Sequence, residues 1–127
     1  MADGETVFEE LSEAECNELL AGHHFGRLGV VADGAVSIFP VNYVFSDGRV
    51  AIKTDPGTKL SAAALGRVGF EIDEVNEASR SGWSVMISGT GYDVTDSIDT
   101  ASEQVRQFPV DTWVPGEKAN WLRIEPT

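Results

Sequence analysis

Apolar and polar residues alternate with a period near two over most of this chain, and a helical period interrupts them in short stretches. The first stretch is Leu11-Ser12-Glu13-Ala14-Glu15-Cys16. Ser12 and Glu15 have capping-box spacing, and Leu11 with Cys16 could form a hydrophobic staple. Leu19 and Leu20 continue inward, and the helix ends near Gly22. From Phe25 the pattern becomes strands and tight turns. Arg27–Val31 is one strand, Asp33-Gly34 a hairpin signal, and Ala35–Phe39 a second strand that Pro40 stops or bulges. Val41–Phe45 continues the sheet, Asp47-Gly48 turns again, and Arg49–Thr54 follows. Three antiparallel strands in succession predict a meander.

Residues 55–65 read as a short helix: Asp55 or Thr58 as N-cap, Pro56 in the first turn, then an Ala-rich run. Val68–Asp73 is a strand, Glu74–Ser81 an acidic loop, and Trp83–Val94 a long strand whose glycines permit a sharp bend. Ile98, Ala101, Val105 and Phe108 recur at helical spacing, predicting a helix over 97–108. Ala119–Ile124 is a last strand. At least six mostly antiparallel strands with two or three short helices predict a mainly β architecture, a small barrel with helical plugs. One domain over 1–127 accommodates this pattern, with residues 1–10 as an acidic arm.

Charge narrows the functions. The chain carries 21 acidic and 9 basic side chains, a net charge of −12. A nucleic-acid binder needs Lys and Arg against phosphates, so generic DNA or RNA binding is excluded, as is an anionic membrane face. No apolar run approaches the roughly 18–20 residues of a membrane span, and the acidic N-terminus lacks signal-peptide character. A single cysteine, Cys16, offers no intramolecular disulfide. The expected location is cytoplasmic.

Nucleotide-loop and hydrolase signatures are absent, and the adjacent His23 and His24 point apart on any regular element, so no metal site is expected. The informative segment is Lys53-Thr54-Asp55-Pro56-Gly57-Thr58-Lys59-Leu60, where two of nine basic residues fall within seven positions. A strand end with a cation and a hydroxyl meets a helix start with another of each, next to free main-chain N–H groups. This is a cradle for one phosphate. The alternative is a solvated turn whose lysines balance nearby acids, with Asp55 an ordinary N-cap. Pro40-Val41-Asn42-Tyr43 is a pinched strand whose freed backbone groups can read the edge of a flat heterocycle. Trp83, beside Ser84, is open to either ligand stacking or packing. For Trp113 and Trp121 packing or a subunit contact is expected.

Cys16–Val31, Phe39–Tyr43, Lys53–Leu60, Phe70–Asp73 and Gly82–Gly89 together resemble the pyridoxamine 5′-phosphate oxidase-like flavin-binding split-barrel proteins, in that family's order and spacing. They are most similar to its small actinobacterial-type members, related to nitroimidazole-resistance proteins. The resemblance implies a six-stranded antiparallel split barrel, a homodimer, and a flavin in a groove at the subunit interface. It implies that Lys53, Thr54, Thr58 and Lys59, with Leu60 beside them, hold the flavin phosphate. Pro40, Val41, Asn42 and Tyr43 would lie along the isoalloxazine, with Trp83 and Ser84 facing it. Tyr43 and Ser84 are then candidate polar contacts to the ring or to substrate.

The implied cofactor is FMN. The deazaflavin F420, with its polyglutamate tail, is disfavoured by a chain at −12. Haem would need an axial nitrogen from His23 or His24. The expected function is flavin-dependent oxidoreduction of a small molecule, in which flavin N5 carries the hydride. The alternatives are an F420-dependent reductase of the same fold and a non-catalytic flavin- or haem-binding dimeric module.

Overall fold

A computed structural model describes residues 8–55, 66–114, 116 and 118–127. Helix α1 (Glu13–Gly22) begins as the sequence predicts. The Ser12 hydroxyl accepts the Glu15 amide at 3.1 Å, and the Glu15 carboxylate accepts the Ser12 amide at 2.9 Å. Seven strands follow: β1 (Phe25–Ala32), β2 (Ala35–Asn42), β3 (Val44–Ser46), β4 (Arg49–Thr54), β5 (Gly66–Asn76), β6 (Ser81–Asp93) and β7 (Asn120–Pro126). Helix α2 (Thr100–Val105) lies between β6 and β7. The predicted helix over 55–65 lies, apart from Asp55, outside the described residues.

Both Asp-Gly turns have positive φ at both residues, 52° and 76° at Asp33-Gly34 and 53° and 72° at Asp47-Gly48. That backbone matches the right-handed twist of the flanking strands, so each dipeptide closes a hairpin. The two hairpins do not join into the expected meander. The sheet order is β2-β1-β5-β6-β7-β4-β3, so β2 and β3 form opposite edges. Tyr43 links them. Its N–H donates to the His24 carbonyl at 2.9 Å, extending the β1–β2 ladder by one residue, and Val44 then pairs with Ala51 of β4. The strand expected over 41–45 is therefore divided at Tyr43, which accounts for seven strands where six were predicted. The sheet closes on itself there as a split barrel.

Pro40 neither stops nor bulges β2, since its register against β1 runs unbroken from Ala35 to Asn42. The Tyr43–His24 bond sets the alternation of the ladder. Pro40, opposite Arg27, falls in a non-hydrogen-bonded pair, where its missing N–H costs nothing. The acidic loop is also shorter than expected. Glu74 and Val75 pair with Trp83 and Gly82, and only residues 77–80 turn, with Asn76 Oδ1 accepting the Ser79 amide. Charged side chains are accommodated because they stand on the exposed part of the hairpin. Helix α2 covers less than 97–108. Asp99 caps it through Ser102, Ile98 is 88% exposed before it, and Gln107 and Phe108 bond back three residues in a tightened turn ahead of Pro109.

One face of every strand supplies the main core, including Leu28, Val30, Val41, Val50, Ile52, Phe70, Ile72, Val85, Leu122 and Ile124. Leu20 of α1 enters it, with Leu11, Cys16 and Leu19 packed behind. Cys16 thus packs as a small hydrophobe. A second, smaller core forms on the outer face of β4 and β7, where Ala51 meets Val94, Val105, Phe108 and Trp121. The outer face of β1, β2, β5 and β6 lacks such a cover among the described residues, and Val31, Val36, Ile38 and Met86 stand exposed there. No helix of the described residues is long and apolar enough to cross a membrane.

The helix caps carry a pH signature. Hydrogen bonds from Ser12 hold the Glu15 carboxyl below its ordinary 4.5, and those from Ser102 hold Asp99 below 3.8. A carboxyl depressed in the folded state stabilises the fold above its unfolded value, and that contribution is lost as pH falls through the folded one. Glu71 has the opposite sign. Desolvation and the neighbouring Asp73 raise its carboxyl despite the Arg27 ion pair at 3.0 Å, so protonation there favours the fold. Stability against urea should therefore hold through the upper carboxylate range and fall only below 3.8–4.5. Asp99→Ala should reduce that acid-side decline.

Candidate functional site

The end of β4 is the first component. Lys53 pairs with Trp121 across the β4–β7 ladder, and its Nζ lies 5.1 Å from the centre of that indole. Thr54, one residue on, turns inward and is 4% exposed. Its hydroxyl donates to the Asp55 carbonyl at 3.4 Å. Asp55 binds a partner far along the chain. Its carboxylate accepts both the Lys118 main-chain N–H and the Lys118 Nζ, each at 2.9 Å. The loop preceding β7 is thereby fastened to the end of β4. Gly116 permits the approach, because a Cβ there would lie 2.7 Å from Asp55 Oδ1. Lys118 thus joins Lys53 in this neighbourhood, unforeseen from the sequence. It stands 63 positions from Asp55, and no local motif announces such a pairing. Thr58, Lys59 and Leu60, the other half of the expected cradle, lie outside the described residues.

The second component is the end of β2. Pro40 is exposed, Val41 is buried in the main core, and Asn42 is half-buried. The Asn42 side chain accepts the Trp113 main-chain N–H on Oδ1 at 2.9 Å, while its Nδ2 is buried with no partner among the described residues. Tyr43 departs from its expected role. Its side chain is 1% exposed, meets Phe70 edge-to-face at 4.8 Å, and donates its hydroxyl to the Leu20 carbonyl at 2.7 Å. Burial pushes the phenol well above its ordinary pKa. As a polar side-chain contact to a ring or substrate Tyr43 is corrected: the hydroxyl is spent tying α1 to the barrel.

The third component is the start of β6. Trp83 is half-buried and meets His23 edge-to-face at 5.0 Å, and His23 Nδ1 sits 2.7 Å from the Leu19 carbonyl. Trp83 also lines a shallow open depression with Glu74, Asn76 and Gly82. Ser84, next along the strand, is exposed opposite Asp73 and faces away from Trp83, as strand alternation requires. His24 leans on Tyr43 at 6.4 Å, so the two histidines diverge as expected. Among the described residues no group of three or more His, Cys, Asp or Glu is placed to hold a metal.

The loop over 113–118 connects the first two components, being fixed to Asn42 at Trp113 and to Asp55 at Lys118. A cation, a buried amide donor and main-chain groups thus border one region, in a protein otherwise strongly acidic. Such a set can hold an anionic group and the polar edge of a flat ring.

Residues 12–127 match the family described as pyridoxamine 5′-phosphate oxidase. The chain is 32% identical over 123 residues to the uncharacterized protein Rv0080 of Mycobacterium tuberculosis, covering 92% of this chain and 79% of that one. Among solved structures it is similar to the FAD binding protein of Mycobacterium smegmatis, at 34% identity and TM-score 0.74, covering 92% and 89% of the two chains. A FAD-binding protein of Mesorhizobium loti matches at 25% identity and TM-score 0.69, covering 92% and 91%.

Proposed function

This chain belongs to the pyridoxamine 5′-phosphate oxidase family, and on that premise we propose that it binds a flavin nucleotide and uses it in oxidoreduction of a small molecule. The observation that carries this reading is Asn42 Nδ2, a buried donor without a partner among the described residues, on the strand end beside the Trp113 loop. An unpaired buried amide is costly, and the isoalloxazine edge offers carbonyl and ring-nitrogen acceptors that would satisfy it. Lys53, Thr54 and the Thr58-Lys59-Leu60 segment would hold the phosphate of the FMN half. Pro40, Val41 and the Tyr43 main chain would border the ring, with Trp83 and Ser84 contributing from β6. FMN and FAD share that half, and the solved relatives named as FAD-binding support a flavin rather than F420. The net charge of −12 opposes the long anionic tail of F420. For haem, His23 packs edge-to-face on Trp83 with its Nδ1 2.7 Å from the Leu19 carbonyl, which leaves the exposed His24 as the axial nitrogen a haem would need.

We read the protein as a cytoplasmic homodimer. The exposed outer face with Val31, Val36, Ile38 and Met86 supports a second copy lying against it, since contiguous apolar surface marks an interaction site. Among the described residues Trp83 and Ser84 make no hydrogen bond to the β2 or β4 ends, which supports completion of the groove across two subunits.

When bound, the flavin would supply hydride chemistry at N5. The chain's own part is binding, orientation and exclusion of water, which asks for few titrating groups, and the buried Tyr43 phenol is not one of them. Anaerobic treatment of the flavin-loaded protein with NADPH, or with reduced F420, should bleach the flavin band, and an added acceptor should restore it. A loaded flavin that neither donor reduces would overturn the oxidoreductase reading and leave a carrier.

A further inference from the structure

Two aromatic rings on this surface are stacked and held, yet open to solvent. Phe25 and Trp113 lie 5.1 Å apart with planes 7° from parallel, and they are 40% and 65% exposed. Backbone pairing fixes both. Phe25 begins β1 opposite Asn42, on the same face of the ladder, and the Asn42 carboxamide oxygen accepts the Trp113 amide at 2.9 Å. The other end of that carboxamide is the buried, unpartnered Nδ2 that the flavin reading gives to the isoalloxazine edge. One side chain thus ties a rigid, uncovered aromatic surface to the ring end of the groove, where a substrate must meet the flavin ring. A fixed ring with a free face takes a second flat ring at little entropic cost.

The charges around the stack limit what that second ring carries. Arg27, further along the same face of β1, is held by Glu71 at 3.0 Å and by Asp73 at 3.2 Å. Lys118, at the far end of the Trp113 loop, is held by Asp55 at 2.9 Å. Lys53 lies against Trp121 at the phosphate end, where the flavin phosphate would take it up. None of these cations is left for an anionic substrate, and the chain as a whole stands at −12. An aromatic face in such a field accepts a neutral ring, and its π-surface attracts a cationic one.

We propose that the Phe25–Trp113 stack is the substrate platform of the flavin site, and that the substrate is a flat aromatic molecule without negative charge. This rests on the flavin reading above and names its substrate class. It sets aside substrates that present a phosphate or a carboxylate beside their ring.

The test uses one bicyclic ring in three charge states: quinoline, quinoline-2-carboxylate and N-methylquinolinium. Each is titrated with the chain at neutral pH and followed by NMR of its own ring protons. On wild type, quinoline and N-methylquinolinium should show saturable upfield shifts, and the carboxylate should bind about tenfold more weakly than quinoline. Trp113→Ala should weaken quinoline binding about tenfold, and Trp113→Phe should recover most of that loss. Saturating the chain with FMN should tighten quinoline binding about fivefold, because a ring beside the flavin is covered on a second face. Main-chain anchoring at Asn42 does not need the indole, so Trp113→Ala should keep the wild-type circular dichroism spectrum and FMN affinity. Equal affinity for quinoline and its carboxylate overturns the proposal. Quinoline binding that ignores FMN or survives Trp113→Ala also overturns it, as adventitious stacking only. FMN that displaces quinoline gives the stack to the flavin ring itself, and a dimer that dissociates in Trp113→Ala gives it to a second copy; either overturns the platform. In all these cases FMN still binds, and the flavin reading stands. A wild-type chain that takes up no flavin overturns both.

Discussion

Tyr43→Ala should destabilise the protein by about 3–5 kcal/mol, the cost of deleting a large buried aromatic. Tyr43 is the corner at which β2 ends and β3 begins, its amide completes the β1 ladder, and its ring packs on Phe70. Losing the side chain leaves a cavity where the sheet closes. It also strips the Leu20 carbonyl of a 2.7 Å hydrogen bond, loosening the helix that plugs the barrel. Tyr43→Phe keeps the ring and removes only that bond, and should cost about 1–3 kcal/mol. Both values can be read from urea denaturation. Because the hydroxyl is occupied inside the core, Tyr43→Phe should leave flavin affinity as it is. A clear loss of flavin binding in a folded Tyr43→Phe protein would mean that the phenol reaches the ligand after all.

Lys53→Ala should weaken FMN binding by roughly 10- to 100-fold, the worth of one charge-assisted hydrogen bond to phosphate. Riboflavin, which has the ring and no phosphate, should bind wild type and variant alike. The contrast between the two ligands separates phosphate recognition from any general disturbance of the site. Lys53→Arg should retain the affinity, since guanidinium makes the bidentate fork that ammonium cannot. Removing Lys53 also removes its contact with the Trp121 ring, worth about 0.5–1 kcal/mol of stability at an exposed site. An equal loss for riboflavin and FMN would place the phosphate elsewhere.

Local chemistry made much of the fold legible. The Ser12–Glu15 box and the two Asp-Gly turns involve residues within three positions of each other, and each folds as its residues dictate. The sequence predicts a break at Pro40, because proline is a strong punctuation mark, and the structure breaks at Tyr43 instead. Whether proline interrupts a ladder depends on which pair it occupies, and the Tyr43–His24 bond sets that. The predicted 97–108 helix counted Ile98 as an inward position, although the Asp99 cap begins the helix after it.

What the sequence could not show is long-range pairing. That β4 lies beside β7, and that Asp55 binds Lys118, follow from closure of the barrel. The candidate site divides the same way. Lys53 at a strand end and the Pro40–Tyr43 segment were readable as chemistry, whereas the use of the Tyr43 hydroxyl, the Asn42–Trp113 bond and the Phe25–Trp113 stack depend on partners far along the chain. For Trp113 the sequence predicts packing or a subunit contact, and nothing near it in sequence points to Phe25.

The most direct measurement is the wild-type arm of the flavin titration, with the purified chain first stripped of bound small molecules. A saturable shift of the flavin visible spectrum and quenching of its fluorescence are expected, stoichiometric with the chain and weakened in Lys53→Ala. A flavin spectrum that stays that of free FMN and free FAD at every protein concentration would contradict the flavin reading.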